Sequence, residues 1–163
     1  MEQKKRKRLG EILIDQNLLT PIIVKRAIQI AKNSTQFLGQ TLEDMGILTG
    51  EEIAQALSVQ YGYKFVTDIC RFTIAAGVLD SISLNEAVEN RIFPLSIKAG
   101  CLALAMADPT NEEIVSNIAE RLNLRVVIFI TTTQDIMKAI SKNYLRSLLQ
   151  KYMQGFECNL FFV

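Results

Sequence analysis

Arg8-Leu9-Gly10-Glu11-Ile12-Leu13-Ile14-Asp15-Gln16-Asn17-Leu18-Leu19-Thr20 is matched 29 residues later by Phe37-Leu38-Gly39-Gln40-Thr41-Leu42-Glu43-Asp44-Met45-Gly46-Ile47-Leu48-Thr49. The match continues, with Val24, Ala27 and Ile28 opposite Ile53, Ala56 and Leu57. Each copy reads Leu-Gly, a short apolar helix, a turn, Leu-Thr and a longer amphipathic helix. A repeat of this kind marks a supersecondary unit that buries its apolar face against its neighbour.

The local chemistry of each unit follows from its residues. Helices opening at Ile12-Leu13 and at Thr41-Leu42 are too short to stand alone and need tertiary packing. Asn17 and Gly46 occupy their ends, where a left-handed backbone suits glycine best and asparagine next. Thr20 is expected to cap the second helix, with Pro21 at its first position. Thr49 with Glu52 spells a capping box. Spacing of three and four assigns Ile23, Ala27 and Ile30, and Ile53, Ala56 and Leu57, to the buried faces. Each copy is an αα-hairpin, and the two together predict a four-helix subdomain over residues 1–60.

Beyond Gln60 the helical period gives way. Tyr61-Gly62-Tyr63 reads as a junction and Lys64-Phe65-Val66 as a short strand. Ser83 with Glu86 spells a second capping box, opening a helix through about Asn90. Arg91–Ile97 and Ala99–Ala107 read as strands around a turn at Lys98–Gly100. Thr110 with Glu113 is expected to cap a helix through Leu122. Val126–Ile130 is a β-branched strand, and a last helix runs from Thr133 to about Leu149. The fold class expected is α+β: the helical tandem repeat, then a small α/β sandwich subdomain over residues 61–150 with helices on a three- or four-stranded sheet. Residues 151–163 form an apolar C-terminal tail without cap or period, read as a peripheral strand or the remnant of a truncated frame.

The composition excludes several functions. The 163 residues are 49% hydrophobic and 21% charged, a globular balance, and the net charge of +1 draws the chain to no polyanion as a whole. The basic charge is local, in Lys4, Lys5, Arg6, Lys7 and Arg8. Histidine is absent, which removes the commonest general base and metal ligand. Cys70, Cys101 and Cys158 are scattered, which argues against a disulfide framework or a zinc site and fits reduced cytosolic thiols. No run of about 18 apolar residues suggests a membrane span. Polar residues from Gly10 to Asn17 interrupt what would be a signal sequence, so a cytoplasmic protein is expected. Walker A, Gly-x-Gly-x-x-Gly and Gly-x-Ser-x-Gly patterns are missing. The acidic pairs Glu51–Glu52 and Glu112–Glu113 fall where helices begin, a position that carboxylates favour for electrostatic reasons. No enzyme, metal or cofactor is expected.

Both Leu-Gly openings, the Leu-Thr pairs, the five-residue spacer and the later segments Arg91-Ile92-Phe93-Pro94-Leu95 and Leu102-Ala103-Leu104-Ala105-Met106-Ala107-Asp108-Pro109 have a precedent. Together they resemble the N-terminal domain of type II secretion and type IV pilus assembly ATPases, over about residues 8–144. In that family a tandem 24-residue motif binds cyclic di-GMP in some members, and a RecA-like ATPase domain follows. This chain stops before any such domain, so hydrolysis is not implied. The resemblance makes Arg8, Leu9 and Gly10 the first motif's opening, and Leu38 and Gly39 the second's. It makes Ile53 and Leu57 apolar ligand-facing positions, Gln60 the closing glutamine and Asp108 an acidic contact from the second half. The chemistry suits a dianionic ligand with two purines: an arginine fork for phosphate or a guanine edge, leucine walls, and glycines that admit close approach.

The departures leave alternatives open. Ala31 stands where the first motif should close on glutamine, Asn17 replaces a glycine, and Phe37 replaces a basic residue. One reading is a regulatory and docking domain that senses cyclic di-GMP. The other is a ligand-free interaction module that binds the cytoplasmic domain of an inner-membrane platform protein, with a separate or missing ATPase domain as a second partner. The module would then lie at the inner membrane only through that partner. A third reading, in which Lys4–Arg8 is an arm for nucleic acid or anionic lipid, lacks a basic face or stacking aromatics elsewhere, so no specific nucleic acid is expected. The residues singled out also have structural readings: Gly10 and Gly39 as close-packing positions, Asp108 before Pro109 as a turn residue, and Arg8 as a solvated member of the basic run.

Overall fold

The computed structural model describes residues 6–145. The tail at 151–163 and the cations Lys4 and Lys5 lie outside the described residues. Contacts divide the chain after Phe65 into two compact units.

The first unit is the tandem repeat. Its helices are α1 (Leu9–Asp15), α2 (Pro21–Ser34), α3 (Leu38–Asp44) and α4 (Gly50–Tyr61). The two copies reproduce each other bond for bond at their first turns. Leu18 donates its N–H to the Leu13 carbonyl and Ile47 to the Leu42 carbonyl, each at 3.0 Å. This six-to-one bond needs a left-handed residue just before it, and Asn17 and Gly46 supply φ values of 57° and 65°. Thr20 accepts the Ile23 N–H with Pro21 at the first helical position. At α4, Thr49 accepts from the Glu52 N–H and the Glu52 carboxylate takes the Thr49 N–H at 2.8 Å, closing the capping box.

The core of this unit joins Ile12, Leu13, Leu19, Val24 and Ala27 to Leu42, Leu48, Ile53 and Ala56. Two glycines set its spacing. A Cβ on Gly10 would lie 2.7 Å from Val24 Cγ1, and one on Gly39 would lie 2.9 Å from Ile53 Cγ2. Val24 and Ile53 are themselves equivalent positions, so the same close approach is made once in each copy. One assignment is corrected. Ile30 is exposed, and Val24 and Ala31 fill the α2 core face with Ala27, because α3 packs along α2 and Gly10 admits Val24, which sets the buried stripe one residue away from the one chosen by spacing.

The second unit contains a 3-10 turn (Ile69–Arg71), α5 (Ala76–Leu79), α6 (Leu84–Asn90), β2 (Ile92–Lys98), β3 (Cys101–Met106), α7 (Glu112–Leu122), β4 (Arg125–Ile130) and a helix, α8, described over residues 133–145. With β1 (Lys64–Phe65), the sheet runs in the order β1-β4-β3-β2. β2 and β3 pair antiparallel, and β3 and β4 pair parallel. Ala99 and Gly100 turn the β2–β3 hairpin with φ values of 47° and 72°, as a type I′ turn requires. The fold is α+β.

Neither α5 nor the 3-10 turn is legible in the sequence, and two caps differ from expectation. Asn111, not Thr110, caps α7, accepting the Ile114 N–H at 3.3 Å; Thr110 is taken by Asp108, whose carboxylate accepts its hydroxyl at 2.6 Å. Ser83 caps α6, but Glu86 does not reach back. Its two oxygens take the Arg121 guanidinium fork at 3.1 and 3.0 Å. Tyr144 is buried on α8, edge-on to Phe93, and donates its hydroxyl proton to the Ile82 carbonyl at 2.8 Å. Burial first, then the Glu86 and Asp80 charges, pushes its pKa up to about 12.

The glycine spacing generates a test. Gly10→Ala gains up to about 1 kcal/mol of helix propensity but forces a methyl into Val24, and overpacking typically costs about 1–3 kcal/mol. The variant is expected to be less stable in urea unfolding, and Val24→Ala in the same chain should recover part of the loss that Gly10→Ala causes. An additive pair of losses would show that the close approach is not what Gly10 serves.

Candidate functional site

Three described cations lead into α1, and two of them are already engaged. The Arg6 guanidinium lies 4.5 Å from the Tyr61 ring centroid, a cation–π contact. Lys7 Nζ lies 2.6 Å from Asp15 Oδ2, and that hydrogen bond and charge hold the ammonium above its ordinary pKa. Arg8 differs. Its backbone N–H donates to Glu11 Oε2 at 2.8 Å, fixing the start of α1, while its guanidinium is exposed and has no hydrogen bond or ion pair among the described residues. An exposed guanidinium with its five donors unspent is the group that a phosphate or guanine edge needs.

Leucines flank this charge. Leu9 and Leu38 are half-buried and cross each other: Leu38 Cδ2 comes within 3.6 Å of where a Gly10 Cβ would be, and Leu9 Cδ2 within 3.7 Å of the same point on Gly39. The exchange of partners gives the two copies an approximate twofold relation. Leu57 packs half-buried on the same core. Leu9, Gly10, Leu38, Gly39, Ile53 and Leu57 are thus gathered into one cluster of the first unit. Within it Gly10, Gly39 and Ile53 are buried, and the space the glycines leave is filled by Val24 and Ile53 themselves. Its accessible members are the half-buried Leu9, Leu38 and Leu57.

Gln60 has a partner that sequence reasoning missed. Its Nε2 donates to the Lys7 backbone carbonyl at 2.9 Å, tying the end of the second copy to the segment that carries Arg8. Tyr61, the next residue, receives Arg6 on its face. An arginine two residues before the motif and a tyrosine just after its closing glutamine were the available signals. Asp108 belongs to the second unit. It follows β3 and accepts the Thr110 N–H at 2.9 Å as well as the Thr110 hydroxyl, an Asx turn. Glu51–Glu52 and Glu112–Glu113 fall in the first turns of α4 and α7. Among the described residues no cluster of ligating side chains could hold a metal ion, and no helix is long and apolar enough to cross a membrane.

A family model of the MshEN domain matches residues 61–149. The chain is 28% identical over 140 residues to the type IV pilus assembly ATPase PilB of Thermus thermophilus, covering 85% of this chain and 16% of that protein. It is 22% identical over 137 residues to PilB of Myxococcus xanthus, covering 84% and 24%. Among solved structures it resembles MshE with cyclic di-GMP, with a TM-score of 0.74 at 20% identity, covering 84% of this chain and 99% of that one. It also resembles the N-terminal domain of XpsE, with a TM-score of 0.70 at 20% identity, covering 87% and 98%. The chain thus spans less than a quarter of either pilus ATPase and nearly all of either solved domain.

The helix that carries Ile53, Leu57 and Gln60 has a titratable cap. Hydrogen bonds from the Thr49 backbone and then its hydroxyl hold the Glu52 carboxyl below its usual pKa. A depressed carboxyl stabilises the fold fully above the unfolded glutamate pKa, about 4.3, and that stabilisation is lost as pH falls through the lower folded value. Thermal melts from pH 7 to 3 should therefore separate wild type from Glu52→Gln most at neutral pH, with the gap closing in acid. A gap constant across that range would exclude a charged cap.

Proposed function

The chain belongs to the MshEN domain family, the N-terminal domain of secretion and pilus ATPases, and on that premise we propose that it is a non-catalytic regulatory and docking domain of a bacterial type II secretion or type IV pilus motor, sensing cyclic di-GMP through the tandem motif. The observation that carries this reading is the Arg8 guanidinium. It is the one described cation ahead of α1 without a partner, and it stands beside the leucine pair formed by Leu9 and Leu38. The likeness to MshE with cyclic di-GMP supports the ligand's identity. Arg8 supplies the charged contact, the leucines cover purine faces, and Gln60 holds the backbone carbonyl of the residue before Arg8. The domain works in the cytoplasm and reaches the inner membrane through a partner.

A specific feature favours docking as part of the role. The outer face of α2 carries Ile22, 80% exposed, with Ile28, Ile30, Lys25, Arg26 and Lys32, and the helix has no acidic residue. The positions on α4 equivalent to Ile22, Arg26 and Ile30 are Glu51, Gln55 and Val59. The basic character is thus confined to one copy, while an exposed apolar residue, Ile30 or Val59, is kept in both. Its complement is an acidic, partly apolar surface on the cytoplasmic domain of the inner-membrane platform protein.

Calorimetric titration with cyclic di-GMP tests the sensor. Charged hydrogen bonds contribute about 1.5–3 kcal/mol, so Arg8→Ala is expected to weaken binding by about ten- to a hundredfold, and the wild-type affinity should fall with added salt. If the wild type and Ala31→Gln both give no heat at millimolar ligand, the sensor reading fails and the docking module stands. Purified chain is expected to release no phosphate from ATP above a buffer blank, since no phosphate-cradling loop occurs in the sequence.

A further inference from the structure

We propose that Gln60 is a positioning residue that acts across the repeat on Arg8, and that this chain therefore keeps one complete charged pole, Arg8 with Gln60, and has lost the other, Phe37 with Ala31. The inference rests on the cyclic di-GMP reading for its ligand and on the ligand-free geometry for its mechanism.

Three contacts converge on the segment before α1. Gln60 Nε2 holds the Lys7 carbonyl at 2.9 Å, Tyr61 takes the Arg6 guanidinium on its face at 4.5 Å, and Asp15 takes the Lys7 ammonium at 2.6 Å. Together they fix the main chain on the N-terminal side of Arg8 and use up the neighbouring cations. The Arg8 backbone is fixed on its other side by Glu11. The guanidinium is thereby offered from a pinned backbone, which lowers the ordering cost of binding.

The repeat relation shows what the second pole would have been. The counterpart of Lys7 is Gln36, and the counterpart of Gln60 is Ala31. The two lie together: the Gln36 N–H donates to the Ala31 carbonyl at 3.1 Å. A glutamine at 31 would stand beside the segment entering α3, where Phe37 replaces Arg8, as Gln60 stands beside the segment entering α1. Two of the three departures from the motif, six residues apart in the sequence, thus fall on the same turn of the fold, where α2 ends and α3 begins. An amide that positions an arginine has no use where the arginine is gone. A twofold dinucleotide would then be held by charge at one end only and by apolar contact at the other.

The test uses purified full chain with cyclic di-GMP as probe. Gln60→Ala is expected to weaken binding by about three- to tenfold in the wild type and less than about twofold in Arg8→Ala, since residues acting as a unit are non-additive. Ala31→Gln and Phe37→Arg should each change affinity little, whereas the two together should tighten binding by about tenfold or more and steepen its salt dependence. Additive losses for Gln60 and Arg8, or a full gain from Ala31→Gln alone, would overturn the proposal. Nitrogen-15 relaxation of the ligand-free protein supplies a readout that needs no ligand. The Lys7 and Arg8 amides should become more mobile in Gln60→Ala at unchanged melting temperature, and unchanged relaxation would overturn the positioning role. If no variant binds cyclic di-GMP while the relaxation changes as expected, the ligand assignment fails and the positioning role stands.

Discussion

The helical unit depends on two absent methyl groups. At Gly10 and Gly39 the short helices α1 and α3 approach Val24 and Ile53 more closely than a side chain allows. Seven-residue helices have too few internal hydrogen bonds to persist in water, so they exist because they are pressed onto α2 and α4. The same approach brings Leu9 over Gly39 and Leu38 over Gly10, which gives the unit its approximate twofold relation. Everything at the candidate site hangs from this arrangement: the position of Arg8 at the head of α1, the crossing leucines, and the reach of Gln60 to Lys7. A glycine that serves packing and one that admits a ligand look alike in sequence. Here the neighbours decide, since protein atoms occupy the space.

The features legible from the sequence are those governed by local rules. Asn17 and Gly46 marked left-handed turns because few residues tolerate positive φ. Thr20 and Thr49 marked caps because a hydroxyl three residues ahead of an N–H can close on it. The offset of 29 residues carried both across to the second copy, and alternating and β-branched patterns located the hairpin and β4. Illegible features were set at long range or by competition. Ile30 and Val24 lie one stripe apart on α2, and only packing from α3 and from Gly10 of α1 chooses between them. Thr110 lost its cap role to Asn111 because Asp108 claimed its hydroxyl first. Glu86 abandoned Ser83 for Arg121, 35 residues away. The bond from Gln60 to Lys7 spans 53 residues, and no local rule reaches that far.

The site combines a family scaffold with a chain-specific pattern of charge. The MshEN match falls on residues 61–149, while most of the candidate ligand residues lie before it, in the tandem repeat. The scaffold therefore places the chain in its family without fixing which family functions the repeat retains. That question turns on side chains at equivalent positions. Ile22, Arg26 and Ile30 on one copy correspond to Glu51, Gln55 and Val59 on the other, and Arg8 and Gln60 correspond to Phe37 and Ala31. Duplication supplied two surfaces of one shape, and substitution made them chemically unlike.

The order of pairing in the second unit bears on how the chain reaches its fold. In the first unit each turn closes on a carbonyl five residues back and α3 packs on its sequence neighbour α2, so that only the docking of α1 on α4 closes a long loop. The second unit joins β3 to β4 in parallel, with Cys101 opposite Arg125 and all of α7 between them. That register cannot be tested until the crossover is complete. A nascent chain emerging from the ribosome would thus acquire the hairpin pair early and hold the outer edge of β3 unpaired until Arg125–Ile130 arrives, which makes the interval between those strands the period in which a chaperone has an open sheet edge to shield.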